Sequence, residues 1–220
     1  ENDYAMRVEG EYGKTEAWYI LDCDEGAELI LGFNREVSVE EFKKAAQSEE
    51  MLNIVNKVKV KKGDLFFIES GTLHAICKGI LLAEVQQNSN TTYRVYDYGR
   101  VGADGKPRAL HIDKAADVTK LYPPTIPNAS ERAVEKQDGG TRTHLTECDL
   151  FKMYSVETDG EYVSEAGDES FVSLLCLDGS AEVVCGKKTL GMKKGESLFI
   201  PASSGEFKII GKTHMLETRI

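Results

Sequence analysis

Several features are scarce in this 220-residue sequence, and each scarcity excludes something. No apolar run approaches the roughly 20 residues of a membrane-spanning helix, and no secretory leader is legible at the N-terminus, so no membrane partner is expected. Basic charge is in deficit: 27 Lys and Arg against 37 Asp and Glu leave a formal net charge of -10. That argues against a sequence-independent nucleic-acid surface, which needs clustered Lys and Arg. A small anionic substrate is still compatible, because a few local cations can dominate one pocket. The 5 cysteines (Cys23, Cys77, Cys148, Cys176 and Cys185) are odd in number and lack Cys-x-x-Cys spacing. They read as reduced, mostly buried thiols of a cytoplasmic protein. The chain opens on Glu1 rather than Met, which reads as a processed or truncated start.

What is present is mostly strand-forming. The segments 17–23 (AWYILDC) and 27–33 (AELILGF) flank Asp24-Glu25-Gly26, which reads as a hairpin turn. Ser38 followed by Glu41 fits a capping box, and 39–48 has helical spacing; a second short helix is expected over 49–58. Strand patterns resume at 64–70, 80–87 and 91–98. Residues 122–143 break the pattern with Pro123, Pro124, Pro127 and the Gly139-Gly140 pair, and read as a linker or long surface crossing. Strands then return at 151–158, 171–186, 196–203 and 207–211.

The two halves echo each other. VKKGDLFFIESGTLHAICKG (60–79) resembles MKKGESLFIPASSGEFKIIG (192–211), with Lys62-Gly63 over Lys194-Gly195 and Phe67-Ile68 over Phe199-Ile200. A Gly-acid step feeding a short apolar strand suits a β-barrel corner used twice. The position of His74 is taken by Glu206 in the second copy, so the shared scaffold does not need the histidine.

Three groups are candidates for chemistry. His74 follows a Gly-Thr turn in a strand-rich stretch. Glu16 shares a strand face with Trp18 and Ile20; a carboxylate buried there without a partner costs several kcal/mol, roughly, so it calls for a cation or donors. A Glu at a strand edge facing water is the plainer reading of the local pattern. The third group is EVQQNSNTTYRVYDYGR (84–100), in which Arg94 lies between aromatic residues and offers a fork for a carboxylate or phosphate; an exposed strand arginine is the plainer reading.

Taken together, GKTEAWYI (13–20), SGTLHAICKGILLAEVQQNSNTTYRVYDYGR (70–100) and LHIDKAADV (110–118) resemble the type I mannose-6-phosphate isomerases of the short bacterial kind, over nearly the whole chain. The resemblance implies an all-β fold of two tandem cupin-type barrels with a short helical segment: a catalytic barrel over 1–125, a linker over 126–143 and a metal-free barrel over 144–220. It implies one zinc ion per chain. The family's ligands are a Gln and a His from a Gln-x-His motif, a Glu from Lys-Thr-Glu and a His from Ser-Gly-Thr-x-His. The last two correspond to Glu16 and His74, and the first two are expected upstream of Glu1. Arg94, Glu84 and Lys14 match the family's active-site positions. Lys14, Arg94 and Asn90 are the expected substrate-binding residues, with Asn90 standing where relatives commonly carry Asp. His111 and Asp113 match a string read as structural.

The reaction so implied interconverts mannose 6-phosphate and fructose 6-phosphate by moving a proton between C1 and C2 through a cis-enediol. Glu84 and Lys14 are candidate acid-base groups if their surroundings bring them toward neutrality. A metal-dependent oxygenase with two His and a carboxylate and a non-catalytic sugar-phosphate-binding cupin are the alternatives. The first lacks a second His; the second is favoured by the missing Gln-x-His and by Asn90.

Overall fold

Strands are the main regular structure, overwhelmingly so in the second half of the chain, in a computed structural model that describes residues 2–125 and 132–220. Two units separate, Glu1–Pro127 and Asn128–Ile220. The first carries α1 (Asn2–Glu9), β1 (Glu16–Cys23), β2 (Glu28–Phe33), α2 (Val39–Ala45), α3 (Met51–Ile54), β3 (Val55–Lys59), β4 (Leu65–Ile68), β5 (His74–Ile76), β6 (Ile80–Gln86) and α4 (Ile112–Val118). Its strands make two antiparallel sheets, β4-β1-β6 and β3-β2-β5. The period of two in β2 puts Leu29 and Leu31 with Trp18, Ile20, Phe66 and Ile68 in one core and Ile30 in another. A register shift between Ile30 and Phe33 then turns Phe33 to the Ile30 side, with Phe42, Met51 and Ala115. That second core is where α2, α3 and α4 pack on the outer face of the β2 sheet.

The second unit carries β7 (Val134–Gln137), β8 (Gly140–Cys148), β9 (Phe151–Ala166), β10 (Val172–Cys185), β11 (Lys188–Lys193), β12 (Ser197–Ile200) and β13 (Gly205–Arg219). They form one sheet in the order β11-β10-β13-β9-β8-β7, with β12 also on β10. Its interior is apolar, built on Val156, Val172, Leu174, Phe207, Ile209 and Met215.

The echo between the halves is structural down to single hydrogen bonds. β4 and β12 lie 132 residues apart. Gly63 and Gly195 turn at φ +87° and +86°. Gly63 donates to the Ile20 carbonyl and Gly195 to that of Cys176, both at 2.9 Å. The carboxylates of Asp64 and Glu196 accept from the backbone N–H of Lys61 and Lys193. Glu16 faces Ile68 as Val172 faces Ile200, so β1 corresponds to the first half of β10. The long strands β10 and β13 each correspond to two shorter strands of the first unit, β1 with β2 and β5 with β6.

That correspondence corrects the hairpin reading at Asp24-Glu25-Gly26. A turn is there, with Ala27 donating to the Asp24 carbonyl at 3.1 Å. However, β1 and β2 do not pair; they belong to different sheets, because the turn breaks one bent strand in two. The helix expected over 49–58 ends at Ile54, and the alternating VNKVK that follows pairs with β2 instead. Segment 91–98 is not a strand: Arg94 exchanges its backbone bonds with His111, whose N–H donates to the Arg94 carbonyl at 2.7 Å and whose Nδ1 accepts from the Arg94 N–H at 3.1 Å. His111 thereby fixes the start of α4, in keeping with a structural part. Of the expected linker, 126–131 lies outside the described residues, while Val134–Gln137 and Gly140–Cys148 are paired strands, so regular structure of the second unit begins before 144. The expected capping of α2 is present, with Ser38 Oγ accepting from the Glu41 N–H at 3.1 Å. Helix α1 has no counterpart among the expected elements.

The loop that delivers His74 turns at Gly71 with φ +90°, and a Cβ there would stand 2.5 Å from the Val118 carbonyl oxygen. At Gly63 the φ is also positive but the space around a Cβ is empty. Gly63→Ala should therefore cost only the roughly 1–2 kcal/mol of left-handed backbone. Gly71→Ala should cost more, because a backbone oxygen must also move. Urea unfolding of the two variants checks the order.

Candidate active site

β1 brings Glu16 and Trp18 to the interior of the first unit, where Glu16 is fully buried and Trp18 is 2% exposed. β6 runs antiparallel beside it, setting Glu84 directly across from Trp18. Lys14 lies just ahead of β1, and His74 opens β5. These five side chains close a ring. Trp18 Nε1 donates to Glu84 Oε2 at 3.1 Å. Glu84 Oε1 lies 3.1 Å from Lys14 Nζ, which lies 2.9 Å from Glu16 Oε2. Glu16 Oε1 lies 2.9 Å from His74 Nε2. The imidazole stands edge-on to the indole, with ring centroids 5.2 Å apart at 86°.

The electrostatics follow from burial. Desolvation alone would raise the Glu16 carboxyl, but the short contact with His74, then the Lys14 ammonium and Glu84, outweigh it and hold its pKa at about 2. Burial also works against the charge of Lys14, yet Glu16 and then Glu84 outweigh it and raise Lys14 above the ordinary lysine value. Lys14 is thus held as an ammonium, away from the neutrality that a base would need. Glu84, with 30% of its side chain exposed, is the more accessible carboxylate.

The fit to a metal can be judged from Glu16 and His74. His74 Nδ1 lies 2.8 Å from the Thr72 carbonyl, which can only accept, so Nδ1 carries a proton. In the neutral ring Nε2 then presents a lone pair to Glu16 Oε1 across 2.9 Å. Two lone pairs so placed call for a cation between them, a proton or a metal. Both Glu16 oxygens are buried and lack a partner in hydrogen-bonding geometry. An imidazole nitrogen and a carboxylate oxygen are zinc donors, so this pair fits. Among the described residues no group of three or more His, Cys, Asp or Glu is gathered, so the pair supplies two of the three protein donors usual for catalytic zinc.

A cavity of about 210 Å³ adjoins the ring, lined by Lys14, Thr72, His74, Thr91 and Tyr93 among others. The Thr91 hydroxyl is buried without a hydrogen-bond partner.

The structure gathers Glu16, His74, Lys14 and Glu84, and leaves Arg94 and Asn90 apart from them. The Arg94 guanidinium reaches the Ala109 carbonyl at 3.3 Å and Asp97 at 3.8 Å, and Asn90 is exposed. Sequence reasoning placed Trp18 on the Glu16 face but missed its bond to Glu84. Only the pairing of β1 with β6, which no local pattern shows, reveals it. The Thr72 carbonyl that orients His74 was missed for a simpler reason, since a backbone oxygen has no sequence signal.

Residues 141–219 match the family model described as mannose-6-phosphate isomerase, cupin domain. Mannose-6-phosphate isomerase ManA of Bacillus subtilis is 39% identical over 211 residues, 96% of this chain and 66% of that protein. The mannose-6-phosphate isomerase of Streptococcus mutans is 35% identical over 98% of this chain and 67% of its own length. The chain belongs to the mannose-6-phosphate isomerase family. The crystal structure of mannose 6-phosphate isomerase from Bacillus subtilis superposes with a TM-score of 0.91 at 37% identity, covering 100% of this chain and 69% of that one. The chain thus spans about two thirds of the length of these family members, and the all-β cupin fold expected for it is the fold it has.

The Glu16 carboxyl sits at about 2 in the folded state against an ordinary 4.5. A lowered carboxyl stabilises the fold fully above its unfolded value and loses that contribution as pH falls toward the folded one. The stability difference between the wild-type chain and Glu16→Gln should therefore shift against the wild type as pH falls from about 4.5 to 2. Urea midpoints of both proteins across that range check it.

Proposed function

We propose that this chain carries the sugar-isomerising centre of a zinc-dependent mannose-6-phosphate isomerase. The observation that carries the reading is the fully buried Glu16 carboxylate facing the His74 imidazole across 2.9 Å, beside Lys14, in a chain of this family. Bound zinc would supply Lewis acidity toward the sugar oxygens at C1 and C2, held by Glu16 and His74 together with further donors; the 220 residues contain no Gln-x-His string.

The chain's own residues suit proton transfer next to a carbonyl. The Glu84 carboxylate is partly exposed and takes the proton from one carbon, returning it to the neighbouring one by way of a cis-enediol. The Lys14 ammonium, kept protonated by its two carboxylate neighbours, donates toward the oxygen on which negative charge grows. The 210 Å³ cavity is smaller than the roughly 300–1,000 Å³ usual for a whole ligand, so it suits the sugar end of the substrate, with the phosphate outside. Arg94 and Asn90 are proposed to meet the phosphate or the sugar rim, where Arg94 offers fixed positive charge. Mannose and sugar-nucleotide metabolism in the cytoplasm is the setting this reaction implies. The second unit is proposed to be a metal-free structural barrel, because Val172 and Glu206 stand at the positions of Glu16 and His74.

One observation favours a second reading, a sugar-phosphate-binding cupin without catalysis: only two metal donors meet among the described residues. The two readings separate on one experiment. The purified chain, with and without added zinc, is incubated with fructose 6-phosphate, and mannose 6-phosphate is measured. Zinc-dependent conversion is expected, low in this chain and higher in one extended upstream to include a Gln-x-His string. His74→Ala should lower both zinc content and turnover in either chain. Conversion that needs no metal, or a His74→Ala protein with wild-type zinc and turnover, would sink the isomerase reading as stated here.

A further inference from the structure

Trp18 is the one tryptophan in the chain, and it touches two of the gathered side chains at once. Its N–H holds Glu84 Oε2 at 3.1 Å, and its ring meets the edge of His74 at 5.2 Å. It closes the circuit that otherwise runs from Glu84 through Lys14 and Glu16 to His74. At 2% exposure the indole N–H has no water to fall back on.

The second unit offers an internal comparison. There Leu174 stands at the register of Trp18, opposite Glu217 as Trp18 is opposite Glu84. A leucine offers no donor, and Glu217 is held instead by two guanidinium groups, Arg142 at 2.6 Å and Arg219 at 2.8 Å. A carboxylate at this register is therefore tied down in both units, by different means. Guanidinium groups neutralise the carboxylate they hold. An indole N–H is a neutral donor with no charge to give. It fixes one oxygen of Glu84 without adding charge, and the cation on the other oxygen, the Lys14 ammonium, is shared with Glu16.

We propose that Trp18 is a positioning residue, orienting Glu84 through its indole N–H and the plane of His74 through its ring edge. The assignment rests on the isomerase reading for its kinetic consequence and on geometry alone for the contact itself, so the two can fail separately.

Trp18→Phe keeps an aromatic ring near His74 and removes the donor, at the cost of some ring volume. With the zinc-supplemented chain, we expect kcat to fall at least about tenfold, as displacement of a reacting group by a fraction of an ångström does. KM should stay within about twofold and the zinc content should be unchanged, a split that general loosening of the fold would not produce. Trp18→Leu, which copies the second unit, should lose zinc as well. A Trp18→Phe protein with wild-type kcat overturns the positioning role.

A second measurement needs no turnover. In the 15N-labelled chain the single indole N–H gives a single resonance, and Glu84→Ala should shift it and speed its exchange with solvent at least about tenfold, the scale of a lost hydrogen bond to a charged group. An indole signal indifferent to Glu84→Ala overturns the contact and with it the proposal. If the wild-type chain converts neither sugar phosphate with zinc present, the isomerase reading fails by itself, and the placement of Glu84 by Trp18 stands or falls on the indole resonance.

Discussion

The buried carboxylate of Glu16 is the constraint around which the first unit is arranged. A charge taken wholly out of water costs several kcal/mol, roughly, unless partners replace its hydration. Glu16 has no exposed surface, and its neighbours across β1 are Ile68 and Gln86, neither of them charged. The compensation comes from outside the sheet pairing: Lys14 from the segment entering β1, and His74 from the start of β5. Each lies 2.9 Å away. The turn at Gly71, the Thr72 carbonyl on His74 Nδ1 and the split of one long strand into β5 and β6 all serve to bring that imidazole in. A site that needs a cation between two lone pairs has been built into the core, and the loop that completes it is held by a glycine that has no room for a side chain.

The local chemistry of the sequence carried much of this. Glu16 was only half legible: alternation put it on the face of Trp18 and Ile20, but the local pattern favoured a strand-edge Glu facing water, and its full burial overturns that plainer reading. His74 was legible because the echo at 192–211 keeps the scaffold and drops the histidine. The capped α2, the repeated Lys-Gly-acid corner and most strands of the second unit followed from patterns a few residues long. Readings that depended on which strand lies beside which fared worse. The hairpin at Asp24 was wrong because a turn between two strands looks the same whether they pair or part into separate sheets. The strand at 91–98 was wrong because Arg94 exchanges its backbone bonds with His111, a partner 17 residues away. Arg94 and Asn90 belong to that same irregular stretch, and motif resemblance carried no information on where its side chains end up.

The two units solve the same packing problem with opposite chemistry. At the Glu16 register the second unit places Val172, fully buried in an apolar core. Without that charge it needs neither a lysine nor a histidine to compensate. At the Glu84 register it retains a carboxylate, Glu217, and neutralises it with Arg142, which lies 3.4 Å over the Tyr154 ring. Burial works against the Arg142 charge, and Glu217 more than restores it, raising the guanidinium further above its ordinary value.

Arg142 and Arg219 both address one oxygen of Glu217, and the other oxygen is buried without a hydrogen-bond partner. Removing a partner from such a cluster is costly, whereas replacing the whole cluster by apolar side chains often is not. The cluster is therefore better read as fixing which strands sit beside which than as a source of net stability. It ties β8 to β13, since Arg142 and Glu217 lie on strands separated by β9. In the first unit the corresponding tie runs from β6 to β1 through a neutral indole, and the ammonium on the other Glu84 oxygen, Lys14, is divided between Glu84 and Glu16. Two guanidinium groups thus hold the Glu217 carboxylate, whereas an indole N–H and an ammonium shared with Glu16 hold Glu84, so Glu84 is the less fully neutralised of the two.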